Sequence, residues 1–159
     1  MLQALDIPNP PPNDQCTQPL PLALSSTPII MNGNSTWARP HGLNDAACSL
    51  QPYARGLFYL LTGTGTTLEL TWTSAAAAAA AATGSFEIAV LSEGCRRCVQ
   101  SSDFLLAQDD APFVTTFDTV QDLDYIILVS GQGFGDVGAF TLQVKVRAWG
   151  EQSKKHVSF

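Results

Sequence analysis

Charge is what this sequence has least of. Asp, Glu, Lys and Arg make up 14% of its 159 residues, and the formal net charge is −6. A nucleic-acid partner needs a basic surface to neutralise phosphates. The cluster Lys154-Lys155-His156 near the C-terminus is too small to supply one. Long apolar runs are missing too: nothing approaches the roughly 18–20 residues of a membrane span. The start, MLQALDIPNPPPNDQ, has neither a basic n-region nor an apolar h-region, so it does not read as a signal peptide. Either a signal has been removed or the chain begins inside a longer precursor. Histidine is scarce as well, with His41 and His156 alone. A hydrolytic triad needs a base beside its nucleophile. His41 lies in the irregular stretch Arg39-Pro40-His41-Gly42, and neither G-x-S-x-G nor H-E-x-x-H occurs. Paired carboxylates are too common on protein surfaces to carry a glycosidase assignment. No enzyme activity and no catalytic residue is expected.

Apolar residues, by contrast, reach 45%, and they alternate. Phe140, Leu142, Val144 and Val146 fall on one face of an extended segment, with Thr141, Gln143, Lys145 and Arg147 on the other. That period marks a strand with one buried and one wet face. Leu68, Leu70 and Trp72 alternate with Thr67, Glu69 and Thr71, and Phe86, Ile88 and Val90 repeat the pattern. Further strands are expected at Leu20–Leu24 (an edge, because of Pro21), at Ile29–Met31 up to a stop at Asn32-Gly33-Asn34, and at Leu57–Leu61. Phe104–Ala107, Phe113–Phe117 and Tyr125–Val129 complete the set. About eight or nine short strands with turns between them predict an all-β, jelly-roll-like antiparallel β-sandwich. The domain is expected over residues 13–147. A Pro-rich extended segment (1–12) precedes it and a tail (148–159) follows. The eight alanines Ala75–Ala82 sit where a loop is expected. They are either a low-complexity loop or alanine standing for other residues, and no chemistry is read from them.

Four cysteines, Cys16, Cys48, Cys95 and Cys98, allow three disulfide pairings. Cys16–Cys48 with Cys95–Cys98 is the favoured one, in an oxidising, extracellular compartment. The rivals are a zinc site, which a single C-x-x-C supports poorly, and a redox pair, which would need a helix after Cys98.

The ordered motifs carry a resemblance. Asn13-Asp14-Gln15-Cys16 is followed by Ala47-Cys48 and by Gly56-Leu57-Phe58-Tyr59 running into Thr62-Gly63-Thr64-Gly65. Then come Phe86–Leu91, Gly94-Cys95, Cys98-Val99 and Gln108-Asp109-Asp110. Asp124–Gly131 and Gly138–Leu142 close the series. This series resembles the bacterial pre-peptidase C-terminal (PPC) domain and its eukaryotic extracellular relatives, over about residues 13–146. The resemblance implies a β-sandwich module without catalysis, attached to secreted peptidases or cell-surface proteins. Some relatives in collagenases resemble calcium-holding, collagen-binding domains.

Several side chains are candidates for binding. Asp109 and Asp110, with Asp103 or Asp136 nearby, are candidate Ca²⁺ ligands, set against the simpler reading of carboxylates that brace turns. Asn13 and Asp14 carry the same two readings. No other cofactor is expected. Trp37, Phe134 and Trp149 are candidates for stacking on sugars, set against capping of the core by Trp37 and Phe134. Asn34-Ser35-Thr36 is an N-glycosylation sequon. The expected role is a secreted structural or adhesive module, the repeating subunit of a cell-surface or secreted filament. Its partners would be other copies of itself or an extracellular protein or polysaccharide. The alternative is a substrate- or glycan-binding accessory domain of a secreted hydrolase.

Overall fold

A computed structural model describes residues 9–44, 48–74, 84–105, 112–133 and 135–147, without the side chains of 103–105. Nine strands follow one another: β1 (Leu20–Pro21), β2 (Ile29–Asn34), β3 (Gly56–Thr62), β4 (Thr67–Ser74), β5 (Ser85–Ser92), β6 (Arg97–Leu105), β7 (Phe113–Asp118), β8 (Asp124–Gly131) and β9 (Ala139–Val146). They form two sheets, ordered β1-β3-β8-β5-β6 and β2-β9-β4-β7. All pairs are antiparallel except β1 with β3. The architecture is the all-β sandwich that the alternation predicts.

The inner faces meet in one core. From the larger sheet come the rungs Leu57–Val129–Ile88 and Tyr59–Ile127–Val90. From the smaller come Met31–Leu142–Trp72–Phe113 and Ile29–Val144–Leu70. Trp72 is fully buried, its ring 5.5 Å from Phe86 and 6.0 Å from Phe140. Such aromatic contacts add to the burial of the rings themselves.

Three strand boundaries differ from the expectation. β2 does not stop at Asn32-Gly33-Asn34 but runs through it. Gly33 lies inside the strand because the Phe140 ring and the Tyr59 hydroxyl occupy the space where a Cβ would sit, at 2.6–2.9 Å. β6 starts at Arg97, well before Phe104, and Ala107 lies outside the described residues. This edge strand carries polar residues because they close the sandwich. Gln100 Nε2 donates to Thr115 Oγ1 and to the Thr116 carbonyl, and Ser102 Oγ is 3.1 Å from Thr115 Oγ1. The first strand is an edge, as Pro21 requires, but shorter than expected and parallel to β3. The run Ala75–Ala82 lies outside the described residues.

The larger sheet is buried on both faces. β5 and β8 are buried along almost their whole length, and Glu87 and Ala89, which alternation would expose, are buried as well. Residues 11–18, 36–44 and 48–55 form an irregular third layer over the outer face. Beneath it a second cluster packs around Phe58, Leu128, Ala89, Leu91 and Ile126. The smaller sheet has no such cover in the described residues, and β4 and β9 alternate regularly between buried and half-exposed.

Candidate functional site

The covering layer is fastened by groups far apart in sequence. Asn13 clips to the open edge of β3. Its side-chain Nδ2 donates to the Phe58 carbonyl at 3.0 Å, and its carbonyl accepts the Phe58 N–H at 2.8 Å. Asp14 is fully buried. Its carboxylate accepts the Arg39 backbone N–H (2.8 Å), Nε (2.9 Å) and Nη2 (2.7 Å). Burial alone would raise the Asp14 pKa, but the hydrogen bonds and charge of Arg39 outweigh it and hold it below the ordinary carboxylate value. Asn13 therefore fastens the cover to the sheet and Asp14 joins its two halves, rather than either bracing an isolated turn.

The cysteines do the same covalently. The pairs are Cys16–Cys95 and Cys48–Cys98, with Cα separations of 6.5 and 5.7 Å, and no free cysteine remains. This corrects the expected Cys16–Cys48 and Cys95–Cys98 pairing. Cys95 lies in the turn of the β5–β6 hairpin and Cys98 on β6, and both pack against the second cluster. Each therefore anchors a different segment of the cover. With all four thiols oxidised in two bridges, the zinc and C-x-x-C redox readings fall.

Under the cover lies a Ser–His pair that the sequence did not suggest. His41 Nε2 is 3.1 Å from Ser130 Oγ, and both are buried. Glu87 occupies the same rung as Ser130. Resemblance to a hydrolytic centre ends at the protons. The Leu43 backbone N–H donates to His41 Nδ1 at 3.1 Å, so that nitrogen carries the lone pair. In the neutral ring Nε2 then holds the hydrogen and donates to Ser130 Oγ, whose own hydrogen goes to the Gly131 carbonyl at 2.8 Å. A general base needs the opposite tautomer. Burial lowers the His41 pKa to about 4, which keeps the ring neutral. The pair pins residues 41–43 onto β8. Proximity across 89 residues of sequence has no local signature.

The exposed features lie elsewhere. On the bare face of the smaller sheet, rungs run Val114–Thr71–Gln143–Ile30 and Thr73–Thr141–Asn32, with Thr116–Glu69–Lys145 beyond. Ile30, on edge strand β2, is 65% exposed and Val114, on edge strand β7, is 50% exposed. Asn34 ends β2 in the open, and its Oδ1 accepts the Thr36 N–H at 3.0 Å and the Thr36 hydroxyl at 2.6 Å. Trp37 is 51% exposed in the same loop, so it does not cap the core. Phe134 and Trp149 lie outside the described residues, as do Asp109, Asp110 and the Asp103 side chain. Asp136 braces a turn, with Oδ2 accepting the Gly133 N–H at 2.7 Å. Among the described residues no group of three or more His, Cys, Asp or Glu side chains is placed to share a metal.

No known family profile matches the chain, and no curated protein matches it in sequence. Solved structures that resemble this chain include the following two. PliG of Aeromonas hydrophila, a periplasmic inhibitor of g-type lysozyme, is 12% identical over 80% of this chain and 95% of that one, with a TM-score of 0.44. CorA, a surface-associated copper-binding protein of Methylomicrobium album BG8, is 9% identical over 80% of this chain and 97% of that one, with a TM-score of 0.48.

Proposed function

We propose that this chain is a non-catalytic extracellular module of the PPC-like kind, structural or adhesive in role. Its working surface is the bare face of the smaller sheet with its β2 edge. One observation carries the reading. Among the described residues the larger sheet is covered and bolted on both sides of its central strands, while the smaller one leaves a broad Thr- and Gln-bearing face and an edge strand open to solvent. An open edge offers unpaired backbone groups to an extended partner. Two disulfides fit an oxidising, extracellular setting. The tautomer of His41 fits the absence of catalysis.

The partner we favour is another copy of the chain, in a repeating assembly in which the Pro-rich segment 1–12 packs on a neighbouring subunit. Deleting residues 1–12 and measuring particle size by light scattering tests this. The truncated chain should stay small, and unchanged assembly rejects the reading. In a eukaryotic secretory pathway Asn34 carries an N-linked glycan, seen as a mass loss on glycosidase treatment. An unchanged mass at that peptide refutes it.

A further inference from the structure

A different surface lies at the end of the sandwich opposite Asn34, where the β3–β4, β5–β6 and β7–β8 turns gather. Two adjoining depressions there share Ser92 and Leu123. The larger, about 500 Å³, has Leu60 and Ile126 as its floor and Glu93, Asp122 and Asp124 at its rim, with no basic residue in its lining. The smaller, about 350 Å³, runs on between Val99 and Asp118 and has Arg97 in its lining. The ridge between them is apolar and wet: Leu123 is 44% exposed, and Val120 beside it 62%. This is a groove with an oily floor and an anionic rim, and it belongs neither to the bare sheet face nor to the β2 edge.

The chain itself leaves the sandwich here. After β9 the Arg147 N–H donates to the Thr67 carbonyl, and the Arg147 guanidinium pairs with Glu69 at 3.2 Å. Thr67 is the cross-strand partner of Asp118, which lines the smaller depression. Residues 148–159, AWGEQSKKHVSF, continue from that point and lie outside the described residues. Fully extended, twelve residues span roughly 40 Å, ample to reach from Arg147 across both depressions. The segment carries the basic pair Lys154-Lys155 next to the apolar Val157 and Phe159. That is the chemistry the larger depression lacks and fits: cations for its rim of carboxylates and apolar side chains for its floor.

We propose that this groove is the docking site of the chain's own C-terminal segment, held by Lys154 and Lys155 against Glu93, Asp122 and Asp124, with an apolar side chain over Leu60 and Ile126. Tethering supplies the affinity that so small a contact lacks by itself, because the segment is present at a high effective concentration.

Amide hydrogen exchange on the full chain tests it. Compared with a chain lacking 148–159, amides of 92–96 and 120–126 should exchange about five- to tenfold more slowly, an advantage lost in concentrated salt. Amides at the centre of β9 serve as the control for global stability. The variant K154E/K155E should behave like the truncation, and adding D122K/D124K to it should restore protection. Equal exchange in the groove for the full and truncated chains overturns the proposal. So does protection that rises with protein concentration, which would place a second copy in the groove. If the truncated chain fails to fold, the charge-reversal pair still decides: no loss in K154E/K155E, or no rescue by D122K/D124K, sinks it.

Discussion

The two sheets of this sandwich obey different burial rules. In β4 and β9 every second residue is buried and the others face outward half-exposed; in β5 and β8 almost every residue is buried. The difference lies in the third layer. Residues 11–18, 36–44 and 48–55 lie over the larger sheet and turn its outer face into a second core. A sheet covered on both faces has no polar side to show, so its strands read as continuous apolar runs, such as Tyr-Ile-Ile-Leu-Val in β8. Among the described residues, what looks like a simple sandwich is a three-layer body on one side and a bare sheet on the other.

The sharpest way to break this contrast is to unfasten the cover. Closing a loop of 50 residues by Cys48–Cys98 contributes about 4 kcal/mol on the chain-entropy model. C48A/C98A should therefore lower stability by roughly that amount in denaturant titrations. Hydrogen exchange should show residues 38–44 and 48–55 losing protection while β4 and β9 keep theirs. Equal loss throughout would mean that the two sheets form one cooperative unit, and the distinction would vanish.

Acid offers a gentler probe. The unfolded His41 titrates near 6.5 and the folded one near about 4. Between those values the unfolded chain binds the extra proton, so stability rises with pH. The contribution is complete above pH 6.5, falls as pH drops, and is gone below about 4, a loss of about 3 kcal/mol. Asp14 acts lower down. Its depressed pKa gives stability that is present above the ordinary carboxylate value and lost as pH falls through the folded one. Replacing His41 by Gln should remove about one proton from the slope of stability between pH 6.5 and 4. An unchanged slope would show that His41 is not held neutral by burial under the cover.

The smallest effect is expected on the bare sheet. Gln143, half-exposed in the middle of that face, should accept Thr with a change within about 0.5 kcal/mol. A loss of several kcal/mol there would mean that something covers this face too.

How much of this was legible in the sequence follows from the same contrast. Alternation placed β4 and β9 well, because one of their faces is wet. It misread Glu87 and Ala89 as outward and exposed, since nothing local reports a third layer. It missed most of β6, whose Gln100 and Ser102 look like loop residues until Thr115 is placed beside them. The cysteine count announced two bridges, but nearness in sequence favoured Cys95–Cys98, whereas the fold spends each of those cysteines on a separate half of the cover. The His41–Ser130 contact and the Asp14–Arg39 pair depend wholly on tertiary approach. The groove was legible only as scattered carboxylates in two turns.

The Cys16–Cys95 bridge also decides how the molecule would carry a pull. Tension applied at the N-terminal side reaches Cys16 and crosses the bridge directly to Cys95, so residues 17–94, and with them β1 to β5, stay slack however hard the chain is drawn. The load then enters the second half of the chain and leaves through β9. That strand lies between β2 and β4, and its C-terminal end lies at the same end of the sandwich as the β5–β6 turn that holds Cys95, so its ladder bonds open one by one from that end rather than shearing together. A single-molecule pulling trace reads this directly. The oxidised chain should lengthen only by the contour outside 17–94, and reduction should release the missing length.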